Sequence, residues 1–283
     1  MENQKSKKLT PGPIGVFDSG YGGLTILKEL VNQLPQYDYI YLGDNARSPY
    51  GNRSFDTVTH YTQQCIQVLF NKGCNLIILA CNTASAKALR SIQQNYLSIT
   101  APNKRVLGVI RPTTEIVGNY SKTGHIGILG TTGTINSESY PMEIAKFFPD
   151  VKVFQQACPM WVSLIENNEY NDEGANYFIK KYLDRLLNQS AKIDTIVLGC
   201  THYPLLLKKI KAYLPSGIKI LSQSNIIGNS LKDYLNRHPE IEQVCLKNSD
   251  RKFFTSDDPT SFDNMAGLFF ETPVKSIHIE TSN

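Results

Sequence analysis

The sequence carries little net charge and has no long apolar segment. Its 29 lysine and arginine residues and 25 aspartate and glutamate residues give a formal net charge of +4, and the globular part has no cluster of basic residues. A balance this close to neutral argues against nucleic acid as a partner. No apolar run approaches the roughly 18 residues that a membrane helix needs, so we expect no membrane association.

The amino terminus also lacks the features of a targeting segment. Residues 1–8 (MENQKSKK) carry charges with no apolar stretch behind them, which is unlike a signal peptide. We therefore interpret residues 1–12 as a flexible tail whose lysines are solvated.

The six cysteine residues include no Cys-x-x-Cys pair. A disulfide framework or a zinc site would need a different spacing, so we predict neither of these and no other metal. Reduced thiols in the cytoplasm are the better interpretation. Cys65, Cys74 and Cys245 have no polar motif around them and are expected to be small buried residues.

What the sequence does have is a unit in which a short apolar strand precedes a helical pattern. Residues 76–79 (LIIL) lead to Cys81, and residues 196–198 (IVL) lead to Cys200. The starts of two other strands, at positions 14 and 126, lie 112 residues apart, and the two cysteines lie 119 apart, which indicates two similar units. Strands that alternate with helices predict a mainly parallel sheet in each.

We therefore predict an α/β protein of two similar domains, each a mainly parallel sheet flanked by helices. The first domain comprises residues 13–105 together with 215–283, because we expect the end of the chain to return to it. The second domain comprises residues 106–214. The active site is expected in the cleft between them.

Cys81 and Cys200 are both predicted to lie where a buried strand ends and a helix begins. Ligands bind just beyond the carboxyl ends of the strands in open α/β sheets. Free helix N–H groups at such a place lower a thiol pKa and attract anions. A free cysteine is often simply buried, but here Asn82 and Thr83, and Thr201 and His202, place hydrogen-bonding groups beside the two thiols.

Two such cysteines would suit proton transfer to and from carbon. His202 could hold a proton for Cys200, and Asp18, at the end of an adjacent strand, could do the same for Cys81. One thiolate would remove a proton from a small substrate, and the other thiol would deliver one to the opposite face. A single nucleophilic cysteine would not need the second.

A glycine-rich turn, residues 18–23 (DSGYGG), follows the first strand. Its spacing and the later Asp44 resemble part of a dinucleotide-binding fingerprint, although Thr25 stands where the third glycine belongs. The alternatives are a tight turn that binds nothing and a small carboxylate held by backbone N–H groups and Ser19 at a helix N-terminus. We favour the carboxylate.

Four motifs, in order along the chain, resemble those of glutamate racemases in the aspartate/glutamate racemase family. They are residues 18–23 (DSGYGG), 43–51 (GDNARSPYG), 80–84 (ACNTA) and 199–204 (GCTHYP). The resemblance implies a cofactor-independent interconversion of L- and D-glutamate, which supplies D-glutamate for peptidoglycan and determines cell shape through the cell wall. It also implies two similar α/β domains, often in a cytoplasmic homodimer.

The same resemblance implies roles for individual residues. It makes Cys81 and Cys200 the catalytic acid/bases, with Cys200 acting on the L isomer, and it places Asp18, His202 and Glu166 close to them. Glu166 could instead be a solvated surface carboxylate. The implied substrate contacts are Asp18, Ser19, Tyr50, Gly51, Asn82, Thr83, Thr132, Thr201 and His202. Thr132 is chosen from Thr131, Thr132 and Thr134, which stand where family threonines line the substrate side chain.

Two segments depart from the family pattern, namely residues 110–112 (IRP) and 222–224 (SQS), and neither carries a core substrate contact. No lysine lies in the four motifs, so we expect activity without pyridoxal phosphate or another cofactor. Hydrogen bonds in a closed, dry cleft would have to stabilise the carbanion instead. The alternatives are a racemase of aspartate or another small amino acid, and a non-catalytic carboxylate- or protein-binding module.

Overall fold

The computed structural model describes residues 9–281, which form two parallel β-sheets flanked by helices. The strands in this part of the chain are β1 (Ile14–Asp18), β2 (Tyr39–Gly43), β3 (Leu76–Leu79), β4 (Arg105–Gly108), β5 (His125–Gly130), β6 (Lys152–Ala157), β7 (Thr195–Gly199), β8 (Lys219–Leu221), β9 (Arg251–Thr255) and β10 (Ser276–His278). The first sheet has the order β10-β9-β2-β1-β3-β4 and the second the order β6-β5-β7-β8. All pairings within them are parallel. The predicted fold class is confirmed.

Helices connect these strands and cover the sheets. They are α1 (Leu24–Gln33), α2 (Phe55–Asn71), α3 (Asn82–Lys87), α4 (Leu89–Ser91), α5 (Ser98–Thr100), α6 (Ile110–Thr114), α7 (Thr132–Asn136), α8 (Ser139–Phe147), α9 (Trp161–Glu166), α10 (Glu173–Leu187), α11 (Leu207–Tyr213), α12 (Gln223–Arg237), α13 (Pro239–Glu242) and α14 (Pro259–Phe270). A π-helical turn, Ile92–Leu97, lies between α4 and α5. Between residues 9 and 281, none of the helices is long and apolar enough to cross a membrane.

Residues at its two ends explain where α2 begins and ends. The Ser54 hydroxyl accepts a hydrogen bond from the backbone N–H of Thr57 at 3.1 Å, which satisfies one of the free N–H groups of the first turn. Just beyond the helix, Gly73 has a φ of +92°. Only glycine adopts this left-handed region readily, so the chain turns here into β3.

The central strands are buried along their whole length. In β1, β2, β3 and β7 every residue is buried, as is usual where helices cover both faces of a parallel sheet. One apolar cluster includes Leu27 of α1, Leu231 of α12 and Leu183 of α10. This cluster is continuous from the first sheet to the second, so the two units pack against each other.

Two strands belong to sheets other than the predicted boundaries imply. Strand β4 pairs with β3 in the first sheet, and β8 pairs with β7 in the second. The predicted boundary between residues 105 and 106 cuts through β4. The predicted boundary between residues 214 and 215 assigns β8 to the first domain, although β8 lies in the second sheet. The reason is that the local sequence of a short apolar strand does not indicate which of two sheets the strand joins. Strands β9 and β10, near the end of the chain, belong to the first sheet.

The amino-terminal segment is less loose than we predicted. Residues 1–8 of the predicted tail lie outside the described residues. Gly12, within the same predicted tail, pairs with Cys245: its N–H donates to Val244 O at 3.0 Å, and its carbonyl accepts from Leu246 N at 2.9 Å. These backbone hydrogen bonds hold the end of the tail against the segment that leads into β9.

Candidate active site

A narrow cavity lies beyond the carboxyl ends of β1, β3 and β7. Its volume is about 40 Å³. The two cysteines of interest both line it, Cys81 just after β3 of the first sheet and Cys200 just after β7 of the second. The other lining residues are Ser19, Pro49, Tyr50, Gly51, Asn52, Asn82, Thr83, Thr131, Cys158, Pro159, Val162, Ser163, Thr201 and His202. The cavity is therefore lined by Cys81 from the first unit and by Cys200, together with Cys158, from the second.

Cys81 is the N-cap of α3. Its Sγ accepts a hydrogen bond from the N–H of Ala84 at 3.4 Å and lies 3.5 Å from the Ser19 hydroxyl. Burial and, to a smaller extent, the Asp18 carboxylate raise the pKa of the Cys81 thiol to about 12, although the Ser19 and Ala84 hydrogen bonds oppose this. We expected the helix N-terminus to lower this pKa, but burial outweighs it. Cys81 therefore holds its proton at neutral pH.

Cys200 is the first member of a chain of three side chains. His202 Nδ1 lies 3.9 Å from Cys200 Sγ, and His202 Nε2 lies 3.0 Å from Glu166 Oε1. Burial lowers the pKa of His202, but its hydrogen bonds to Cys200 and Glu166 outweigh burial and raise that pKa to about 10. His202 is therefore protonated at neutral pH. Glu166 is paired with it and is not the solvated carboxylate of the alternative interpretation.

Asp18 lies behind the cavity wall and contacts groups from both units. One carboxylate oxygen accepts from the N–H of Gly20 at 2.9 Å, and the other accepts from the Thr201 hydroxyl at 3.3 Å. The side chain is only 1% exposed. Burial raises the pKa of Asp18, although the neighbouring His202 lowers it. Asp18 is close enough to influence Cys81, but it does not line the cavity.

A cluster of threonine hydroxyls bridges the two units at one end of the cavity. Thr83 Oγ1 lies 2.9 Å from Thr131 Oγ1, which lies 3.0 Å from Thr134 Oγ1. Thr131 is the N-cap of α7 and accepts from the N–H of Thr134. Thr132, which we had chosen as the substrate contact, does not line the cavity, whereas Thr131 does. The difference arises because the side chain at the cap turns inward, one residue before the helix proper.

The loop that carries Tyr50 and Gly51 is fixed by a buried carboxylate. Asp44 accepts from the hydroxyl of Tyr50, from Arg47 Nε at 2.7 Å and from the hydroxyl of Ser256 at 2.8 Å. Asp44 is fully buried, and its oxygens are occupied by the protein. It is therefore not available to bind a ribose, which argues against the dinucleotide interpretation.

Sequence reasoning missed part of the wall contributed by the second unit. Cys158, Pro159, Val162 and Ser163 line the cavity where β6 leads into α9. The available signal was the position of Cys158, which follows strand β6 as Cys81 follows β3 and Cys200 follows β7. Among residues 9–281 there is no group of three His, Cys, Asp or Glu side chains that could hold a metal ion.

Comparison with known proteins identifies the class of protein that this fold and site represent. The family model described as Asp/Glu/Hydantoin racemase matches residues 14–224, well over half of the chain. The match is thus to racemases, which are enzymes of the isomerase class. The chain belongs to the Asp/Glu/hydantoin racemase family.

Within this family, the chain is similar to several glutamate racemases. It is 39% identical over 256 residues to the glutamate racemase of Geobacter metallireducens. The aligned region covers 90% of this chain and 92% of that protein. The crystal structure of a glutamate racemase isoform from Bacillus anthracis has a TM-score of 0.86 at 32% identity, covering 95% of this chain and 97% of that one. That of the Francisella tularensis glutamate racemase in complex with D-glutamate has a TM-score of 0.84 at 32% identity, covering 96% and 98%. The predicted resemblance is confirmed.

Proposed function

We propose that this protein interconverts L- and D-glutamate without a cofactor, by a two-base proton transfer between two cysteines. The observation that carries the proposal is that Cys81 and Cys200 line one buried cavity from two different units. Similarity to glutamate racemases, one of them solved with D-glutamate, supports glutamate as the substrate.

In the direction from L- to D-glutamate, Cys200 acts as the base and Cys81 as the acid. The Cys200 thiolate, beside protonated His202, takes the α-proton and becomes a thiol, and the electron pair stays on the substrate carbon. Cys81, whose raised pKa keeps it protonated, then gives its proton to the opposite face and becomes a thiolate. The reverse reaction exchanges the two roles, with Asp18 beside Cys81 and His202 beside Cys200 adjusting the protonation of the thiols.

The cavity provides the stabilisation that a carbanion needs. Hydroxyl and amide groups of Ser19, Asn82 and Thr201 line it and can donate to the substrate α-carboxylate, where negative charge develops. We assign the distal carboxylate to the hydroxyls of Thr83 and Thr131, which line the same cavity. Fixed donors in a water-poor site cost little reorganisation during the reaction, which makes them effective for this purpose.

Proton NMR of L-glutamate in D₂O, with purified protein and no added cofactor, tests the proposal. Loss of the α-proton signal together with loss of optical rotation is expected. If both stay unchanged with glutamate but change with aspartate, the protein is an aspartate racemase, and if neither amino acid reacts it is a binding module. Loss of activity on removal of bound pyridoxal phosphate would refute cofactor independence.

The threonine cluster leads to a test of which hydroxyl contacts substrate. Thr131→Val is expected to raise KM for glutamate about tenfold, because one hydrogen bond to a charged group is lost. Thr132→Val, the neighbouring substitution, is the matched control and is expected to change KM less than about twofold. Initial rates measured by circular dichroism give both values, and equal effects of the two substitutions would contradict the assignment.

The raised pKa of His202 leads to a pH dependence of stability. Its folded-state pKa of about 10 lies above the unfolded value of about 6.5, so this contribution to stability is full below pH 6.5 and is lost as pH rises through 10. The substitution Glu166→Gln removes one of the groups that raise the pKa of His202. The difference in unfolding free energy between wild type and Glu166→Gln is therefore expected to be largest near pH 6.5 and to shrink towards pH 10.

Urea unfolding at a series of pH values measures this difference. Glu169→Gln, three residues away on the exposed surface, is the matched control, and its difference from wild type is expected to be small and flat with pH. A Glu166→Gln difference that grows with rising pH would contradict the assignment of a protonated His202.

Three further features are proposed from the family resemblance. They are supply of D-glutamate for peptidoglycan, a cytoplasmic location and assembly as a homodimer. Sedimentation of the purified protein tests the last, and growth of cells depleted of the protein, with and without external D-glutamate, tests the first.

A further inference from the structure

Three buried side chains at the wall of the cavity, of which Asn82 lines it, form a closed ring of hydrogen bonds. Asn82 Nδ2 donates to Gln223 Oε1 at 2.7 Å, Gln223 Nε2 donates to Tyr140 Oη at 2.9 Å, and Tyr140 Oη donates to Asn82 Oδ1 at 2.8 Å. Each group donates once and accepts once around the ring, so the ring fixes the orientation of both amides and of the hydroxyl. All three residues are at most 4% exposed.

The three members come from different parts of the chain. Asn82 begins α3 directly after Cys81, Tyr140 lies in α8, and Gln223 begins α12 shortly after β8. Helix α12 then packs against α1, where Asn225 Oδ1 accepts from a side chain of α1 at 2.8 Å. The ring thus joins the first unit to the second at the point where the chain passes between them.

The ring also reaches the wall that carries the second thiol. A Cβ placed on Gly199 would lie 3.2 Å from Cε2 of Tyr140, so the phenol group of Tyr140 packs against the backbone just before Cys200. The remaining hydrogen of Gln223 Nε2 can donate to Val109 O at 3.0 Å or to Thr113 Oγ1 at 2.9 Å. One side of the ring therefore adjoins Cys81 and another side adjoins Cys200.

We propose that Gln223 is a positioning residue that closes this ring and so holds the two cysteine-bearing walls at a fixed separation. The proposal rests on the two-cysteine racemisation proposed above, in which both thiols must reach one substrate carbon from opposite sides. Small displacements of reacting groups are costly in rate. Loss of the Gln223 amide would also leave Asn82 and Tyr140 with buried, unpaired polar atoms, which the site would have to relax to satisfy.

Gln223→Met tests the proposal, because methionine keeps the length of the side chain and removes both the oxygen and the nitrogen of the amide. We expect kcat to fall about ten- to hundredfold in both directions. Gln93→Met is the matched control: the Gln93 amide donates to Val106 O at 2.8 Å, at the edge of the first sheet, and this variant is expected to keep kcat within about twofold of wild type. Circular dichroism spectra confirm that each variant is folded.

Gln223→Glu distinguishes positioning by the ring from a general structural role. The introduced carboxyl can accept from Asn82 in either protonation state, but it can donate to Tyr140 only when it is protonated. Burial favours the protonated form. The kcat of this variant relative to wild type is therefore expected to rise as pH falls, whereas the same ratio for Gln223→Met stays flat.

Two results would overturn the proposal: a folded Gln223→Met variant with kcat within twofold of wild type, or a Gln223→Glu variant whose kcat is as low as that of Gln223→Met at every pH. If Gln223→Met does not fold, Tyr140→Phe removes only the ring hydroxyl and takes its place with the same expected loss. The wild-type rate is measured in the same experiment. If wild-type protein does not racemise glutamate, the proposed function itself is refuted, and this outcome is distinct from a result that refutes only the role of Gln223.

Discussion

Replacement of either Cys81 or Cys200 by alanine is expected to lower racemisation by about 10³-fold or more, because each thiol supplies one of two obligatory proton transfers. Both side chains line the same cavity and are 5% and 6% exposed, so water is poorly placed to replace them. The rate is measured in both directions by polarimetry. Of the variants considered, these are expected to have the largest effect.

The matched control is Cys74→Ala, since Cys74 is equally buried but lies away from the cavity lining. Its kcat is expected to stay within about twofold of wild type, even if the protein is somewhat less stable. Activity of a Cys81→Ala variant close to that of Cys74→Ala would contradict the two-base mechanism and favour a single catalytic cysteine.

Conservative serine variants separate the roles of the two thiols. If Cys200 acts on the L isomer and Cys81 on the D isomer, Cys200→Ser should lose exchange of the α-proton of L-glutamate with solvent more severely than that of D-glutamate. Cys81→Ser should show the opposite preference. The reverse pattern would exchange the two assignments while leaving the two-base mechanism intact.

The positions of the two thiols could be predicted because they follow from local pattern. Apolar runs such as residues 76–79 form buried strands wherever helices cover both faces, and the residue after such a strand lies at the ligand-binding edge of the sheet. Cys81 and Cys200 needed only this reasoning. The family resemblance added identities for the neighbours, most of which line the cavity.

Features that depend on distant contacts could not be predicted in this way. The hydrogen bond between Asn82 and Gln223 joins residues 141 positions apart, and position 223 attracted notice only as a departure from the family pattern. Asp44 looked like a nucleotide-binding acid because the Ser256 hydroxyl that occupies it lies far along the chain. The pKa of Cys81 depends on burial, which the helix-terminus argument alone could not weigh.

The choice between Thr131 and Thr132 shows a second kind of limit. Strand β5 ends at Gly130 and helix α7 begins at Thr132. The capping residue between them, Thr131, belongs to neither element, so its side-chain direction does not follow from the strand or the helix pattern. Helix boundaries from sequence are uncertain by more than one residue. An error of one position at a cap therefore selects a hydroxyl that does not line the cavity, even when the segment is placed correctly.

Gly22→Ala is expected to cause the second-largest loss, about 10²-fold in kcat. A Cβ at this position would lie 2.2 Å from Thr201 Oγ1 and 2.4 Å from His202 Nδ1, distances at which atoms cannot coexist. His202 cannot easily move away because Glu166 holds its other nitrogen and the ring is buried. The clash must therefore be relieved by a shift of the glycine-rich turn or of His202, and either shift changes the surroundings of the nitrogen beside Cys200.

Gly267→Ala is the matched control, because a Cβ there meets no atom within 4 Å apart from the neighbouring backbone of its own helix, and Gly267 lies inside α14. It is expected to leave kcat unchanged and to stabilise the fold by about 0.5–1 kcal/mol. If Gly22→Ala is folded and keeps kcat close to wild type, contact between the glycine-rich turn and His202 is not needed for catalysis. If instead its kcat falls while KM changes little, the turn acts on proton transfer at Cys200 rather than on substrate binding, which is the role that the close approach of Gly22 to His202 supports.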